Sequence, residues 1–135
     1  MKTREAKVKE FHKVFGIEIS VTPTARLLKS RRALIAEETQ ELIEALDNAI
    51  TYMEKGKSVP DCVYENMLKE MSDVQISLSG LSVSVKPVRN FEEAFNRVHK
   101  SNMSKLGDDG NIIRREDGKI LKGPSYKEPD LSDLI

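Results

Sequence analysis

The chain has no tryptophan, a single cysteine, three tyrosines and four phenylalanines among its 135 residues, and no excess of either charge sign. Each shortage excludes something. Without tryptophan and with so few aromatics there is no stacking platform for single-stranded nucleic acid. Lys plus Arg equals Asp plus Glu at 22 each, so the basic surplus of a general nucleic-acid binder is missing. One cysteine, Cys62, cannot form an internal disulfide, which suits a reducing, cytoplasmic setting. No stretch approaches the roughly 20 apolar residues of a membrane span, and the opening Met1-Lys2-Thr3-Arg4-Glu5 leads into no apolar run of a signal peptide. Neither a nucleic-acid partner nor a membrane is expected. Hydrophobic residues are 39% of the chain. That is a lean core for a monomer of this length, and association would add burial.

Helical spacing organises the rest. A first helix is predicted from about Glu5 to Phe15, ended by Gly16, with Val8, Phe11, His12 and Phe15 as its apolar face. A long second helix begins at Thr22 as N-cap with Pro23 in the first position and runs to about Lys55 before Gly56. Pro60 opens a third, reaching about Val85 before Pro87. Its Ser- and Val-rich end has strand propensity, but Met67, Glu70, Val74, Leu78 and Leu81 step by three or four. Asn90 and Glu93 predict a capping box for a fourth helix, whose stripe is Phe91, Ala94, Phe95, Val98 and Met103. From Gly107 onward glycines and prolines punctuate a polar tail. The expectation is an all-α helical bundle of four main helices, residues 1–106, with an irregular C-terminal tail, residues 107–135, packing on the same domain or a neighbouring subunit.

The carboxylates carry the chemistry. Glu37, Glu38 and Glu41 lie on the second helix, and Glu70 and Asp73 on the third. Residues three or four apart share a helix face. Here that face also holds Leu34, Ala45 and Ala49 on one helix and Met67, Val74 and Leu81 on the other. A solvated helix would place its acids opposite the apolar side. If the two helices pack antiparallel, the acids converge, and such a cluster cannot stay ionised without a counter-charge. Mg²⁺ or Mn²⁺ prefer oxygen ligands and would resolve the conflict. A ferritin-like di-iron site needs Glu-x-x-His, but Lys9 and Asn96 stand three residues before His12 and His99.

Glu37-Glu38-x-x-Glu41 followed by Glu70-x-x-Asp73 resembles the metal signature of the MazG-like all-alpha NTP pyrophosphatases, which include MazG, dimeric dUTPases and phosphoribosyl-ATP pyrophosphohydrolase. Asn102-x-x-Lys105 resembles the segment ending that family's fourth helix. Glu10-Phe11-His12, Gly16 and the tail from Arg114 through Lys119, Lys122 and Gly123-Pro124 to Tyr126 and Pro129-Asp130-Leu131 are similar to a dUTPase-like subgroup. The resemblance implies a pyrophosphohydrolase that converts an NTP or dNTP to the monophosphate, with dUTP slightly favoured. It implies Mg²⁺, or Mn²⁺ in its place, held by Glu37, Glu38, Glu41, Glu70 and Asp73. Glu38 would be the general base, with Glu37 the other choice. Asn102 and Lys105 would meet the phosphates. Lys119 and Lys122, with Arg114 and Arg115, could fold back toward them. A homodimer or homotetramer is implied as well. Gln75, Ser77 and Ser79, unusually polar where the family is aliphatic, could hydrogen-bond a nucleobase, or face water or a subunit interface. The long tail and the first helix argue against the phosphoribosyl-ATP branch. A non-catalytic nucleotide-binding or assembly module is the reading from another class.

Overall fold

A computed structural model describes residues 2–107 and 110–135, and among these it is all-helical, with four α-helices and no strand. α1 is Arg4–Phe15, α2 Ala25–Glu54, α3 Asp61–Ser84 and α4 Phe91–Met103. By packing, the chain divides into two compact units, Met1–Arg89 and Asn90–Ile135, so α4 groups with the tail. No helix is long and apolar enough to cross a membrane.

In the first unit α3 packs against both α2 and α1. α1 starts where the Thr3 hydroxyl accepts from the Ala6 N–H at 3.1 Å, and stops at Gly16 in the left-handed region. Only Val8 and His12 of its expected apolar face are buried. Phe11 and Phe15 are exposed and pack on each other, ring centroids 4.4 Å apart. The start of α2 also differs from expectation. Thr24, not Thr22, is the cap, its Oγ1 accepting from Leu27 N–H at 3.1 Å. The reason is tertiary. Ser20 and Val21 donate to the carbonyls of Val83 and Ser84, and Lys86 donates to that of Val21. This pairing with the end of α3 keeps Thr22 and Pro23 outside the helix.

The Ser-rich end of α3 is helical, as its spacing predicts. Ser77, Ser79 and Ser84 are fully buried and Gly80 is buried too. Small side chains let the neighbouring helices approach closely, and each of these hydroxyls finds a partner: Ser77 the Val74 carbonyl, Ser84 the Glu18 carbonyl, Ser79 the Gln75 amide. The buried apolar core among the described residues is small: Val8, Ala45, Ala49, Val63, Val83 and Val85.

In the second unit the tail folds back on α4. Arg97 forms a forked pair with Asp133 and also meets Glu93. Ser101 donates to the Lys127 carbonyl, and Gly123 N–H to that of Lys105. The expected capping box does not form. Asn90 instead donates its side-chain amide to the Leu134 carbonyl at 2.6 Å, and Glu93 is taken by Arg97.

Candidate metal centre

α2 and α3 meet along two inward stripes. On α2 the stripe runs Leu27, Arg31, Leu34, Glu38, Glu41, Ala45 and Ala49; on α3 it runs Val63, Met67, Glu70, Val74, Ser77 and Ser84. Ala45, Ala49 and Val63 fill one end with small apolar side chains. At the next level the helices set three acids facing one another. A carboxylate oxygen from each of Glu38, Glu41 and Glu70 lies within 4.8 Å of the others. Glu70 is buried, and Glu38 and Glu41 are half-buried.

The electrostatics of this cluster are unresolved by protein groups alone. Oε2 of Glu38 and Oε2 of Glu70 are buried without a hydrogen-bond partner. The neighbouring Glu38 carboxylate, then burial, then Glu70 hold the Glu41 carboxyl above the usual carboxylate range. Lys69, at the mouth of the cluster, stands 3.5 Å from Glu70 and 2.8 Å from Asp73. It is the only cation the described ion pairs give these acids, and it is largely exposed. Oxygen-only donors, orphaned buried lone pairs and mutual repulsion are what a hard divalent cation relieves. The residues fit such an ion.

The carboxylates expected from sequence therefore separate into two groups. Glu38, Glu41 and Glu70 come together. Glu37 is exposed on the flank of α2, and Asp73 turns its carboxylate to Lys69.

The profile of phosphoribosyl-ATP pyrophosphohydrolase matches residues 8–102. The chain belongs to the phosphoribosyl-ATP pyrophosphohydrolase family. It is thereby a pyrophosphohydrolase, cleaving phosphoanhydride bonds, within the MazG-like all-alpha NTP pyrophosphatase superfamily. The match takes in α1 from Val8, so the first helix does not set this chain apart from that family; the tail lies beyond the match. No curated protein matches the chain.

The remaining expected residues of this pyrophosphohydrolase lie in the second unit. Asn102 is exposed on the last turn of α4, and Lys105 follows it, with its main-chain carbonyl engaged by Gly123. Lys119 is exposed. Lys122 places its ammonium 4.7 Å from the centre of the Tyr126 ring. Arg115 pairs with Asp117, and Arg114 donates to the Gly118 carbonyl. Of the three polar residues after Asp73, Ser77 and Ser79 are fully buried and only Gln75 is part-exposed. Gln75 borders a cavity of about 630 Å³ between α1 and α3 that also touches Phe11 and Met71. Sequence reasoning missed Lys69 and Arg31. Lys69 was legible as the residue four before Asp73, the spacing of a helical ion pair.

Proposed function

We propose that the protein is a Mg²⁺-dependent nucleoside triphosphate pyrophosphohydrolase that releases pyrophosphate and leaves the monophosphate. The observation that carries this reading is the cluster of Glu38, Glu41 and Glu70 with two buried, unpartnered oxygens. Glu38, Glu41 and Glu70 would hold the ion, with Asp73 and Glu37 joining from the rim once Lys69 is displaced. A divalent cation held there supplies Lewis acidity toward phosphate oxygens and offsets the charge that builds up on them. Glu38 is the proposed general base, its half-buried carboxylate at the cluster taking the proton of the attacking water. The water oxygen bonds to the α-phosphorus, the bond from that phosphorus to the bridging oxygen breaks, and pyrophosphate leaves. Asn102, Lys105, Lys119 and Lys122 are proposed contacts of the phosphates.

On substrate, the dUTPase-like ending of the chain favours dUTP among simple nucleotides. The family match favours phosphoribosyl-ATP, which carries the same triphosphate. We further propose a cytoplasmic homodimer or homotetramer, supported by the apolar side chains left exposed along α2. The test is one plate: each common NTP and dNTP, and phosphoribosyl-ATP, with Mg²⁺, following pyrophosphate and monophosphate, beside Glu41→Ala and Asp73→Ala. Pyrophosphate from one or a few of them, lost in both variants, is the expected result. Orthophosphate with a diphosphate would mean the wrong bond was chosen. No turnover with Mg²⁺ or Mn²⁺ would leave a binding module.

A further inference from the structure

Arg31 is the one buried cation among the described residues, 9% exposed. A guanidinium has five N–H donors and cannot shed its charge. This one makes a single described hydrogen bond, from Nη2 to the Ser77 carbonyl at 3.4 Å. Its Nε is buried without a partner, and it belongs to none of the described ion pairs. Burial presses against its charged form, and the charge of Glu18 only partly offsets this. The fold nonetheless makes room for it. Gly80 faces the guanidinium, and a Cβ there would stand 1.8 Å from Nη2. A buried, under-bonded cation costs stability unless something answers it.

What lies beside it is a cavity of about 260 Å³, whose lining includes Arg31, Arg26, Ser30, Thr24 and Glu18. Two cations border it. The Thr24 hydroxyl accepts from Leu27 and keeps its own proton to donate, and the Ser30 hydroxyl makes none of the described hydrogen bonds. We propose that this cavity is a binding site for a phosphate group, free or carried by a nucleotide, with Arg31 and Arg26 as its counter-charges and Thr24 and Ser30 as neutral donors. Planar guanidinium groups are suited to phosphate oxygens. Glu18 at the rim opposes the anion, so it weakens the site and favours the singly charged form of the ligand. The site is separate from the acidic cluster. Arg31 and Glu38 are seven residues apart on the same stripe of α2, about 10 Å along the axis, with Leu34 between them. A ligand with a second phosphate at that distance from its polyphosphate would reach both.

The separation makes the test clean. In EDTA the acidic cluster repels anions, and the variants at the Arg31 cavity tell phosphate bound there from phosphate held by Lys105, Lys119 or Lys122. Calorimetric titration with inorganic phosphate, and in a second arm with a nucleoside monophosphate, is expected to show saturable binding. The tighter of the two names the source. Arg26→Ala, at an exposed position, should weaken it roughly tenfold, the scale of one charge-assisted contact. Glu18→Gln should tighten it several-fold, a gain that a misfolded protein cannot mimic. Arg31→Met should abolish binding, and because that change is buried, Arg26→Ala and Glu18→Gln decide the matter if it does not fold. Saturable binding that is unchanged in Arg26→Ala and Glu18→Gln, or no saturable binding of either probe, overturns the proposal. The result stands apart from the pyrophosphohydrolase assay, which needs Mg²⁺ and the acids.

Discussion

Two stripes of α2, about 100° apart around its axis, reverse the usual order of an amphipathic helix. Its inward face carries Arg31, Glu38 and Glu41 between small or half-buried apolar residues. Its outward face leaves Leu28, Ile43, Leu46, Ile50 and Met53 between 41% and 57% exposed. Ordinary surface helices bury such side chains and solvate such charges. The inversion teaches that the two faces answer to different demands. Charges held inside suit the cation and the phosphate proposed for them. Apolar residues left outside suit a covering surface, as the proposed oligomer would supply. Charge on the exposed side of α2 fits a second copy as that surface: Arg26, Lys29 and Arg32 stand toward its start, and Glu37, Glu44, Asp47 and Glu54 follow toward its end. Antiparallel pairing of two α2 helices about a twofold axis sets basic half against acidic half.

The sharpest break in this comparison is at the inner face. Glu41→Ala is expected to lower kcat/KM by at least about a hundredfold, the scale on which removing one preorganised electrostatic group is felt. Steady-state pyrophosphate release measures it, and activity within threefold of the parent would remove the cluster from the mechanism. Next comes the outer face. Leu46→Glu should roughly halve the particle mass seen by sedimentation while leaving helical circular dichroism intact. A parent that already sediments as a monomer would sink the pairing.

A metal-free measurement separates function from stability at the same residue. The Glu41 carboxyl is held above its ordinary value of 4.5 by Glu38, by burial and by Glu70. An acid whose folded pKa is raised binds protons more readily folded than unfolded. Its ionised form therefore costs stability above the folded pKa, and the cost is relieved as pH falls through that value toward 4.5. In EDTA at neutral pH, Glu41→Gln should melt above the parent, and the gap should close on acidification. With Mg²⁺ the parent should gain Tm and the variant gain less. A variant that melts below the parent in EDTA would mean that the cluster is not repulsive.

What was legible in the sequence follows the same division. Periodicity found four helices, and it placed Glu38, Glu41 and Glu70 on inward stripes, because those are properties of one helix at a time. What depends on a distant segment was not visible. The α2 cap moved from Thr22 to Thr24 because residues 20–21 pair with the end of α3. The Asn90–Glu93 box was displaced by Leu134 and Arg97, which reach the same side chains from elsewhere. Phe11 and Phe15 sit at core spacing, yet α1 turns Val8 and His12 inward. Arg31 stands in a Ser-Arg-Arg run that reads as solvated surface; only its seven-residue spacing from Glu38, taken together with Gly80 on the facing helix, hints at burial.

The smallest effect sharpens the comparison most directly, because it uses neighbouring positions. Ala45 is 4% exposed and Leu46 is 41% exposed, neighbours in sequence set about 100° apart around the helix. Ala45→Leu crowds three extra heavy atoms against α3 only if the inner stripe is as close-packed as the buried Ala45, Ala49 and Val63 indicate, and overpacking of that kind costs about 1–3 kcal/mol. Leu46→Ala removes a larger side chain from a half-open position and should cost less than about 1 kcal/mol within one chain, below the 2–5 kcal/mol typical of a buried Leu→Ala change. Urea denaturation of both variants, at a protein concentration low enough to dissociate copies, reads the difference. If Leu46→Ala proves the costlier of the two under those conditions, Leu46 is packed within its own chain, and the outward face of α2 is not the open surface that pairing requires. If its cost appears only as protein concentration rises, the missing stability resides in the contact between copies.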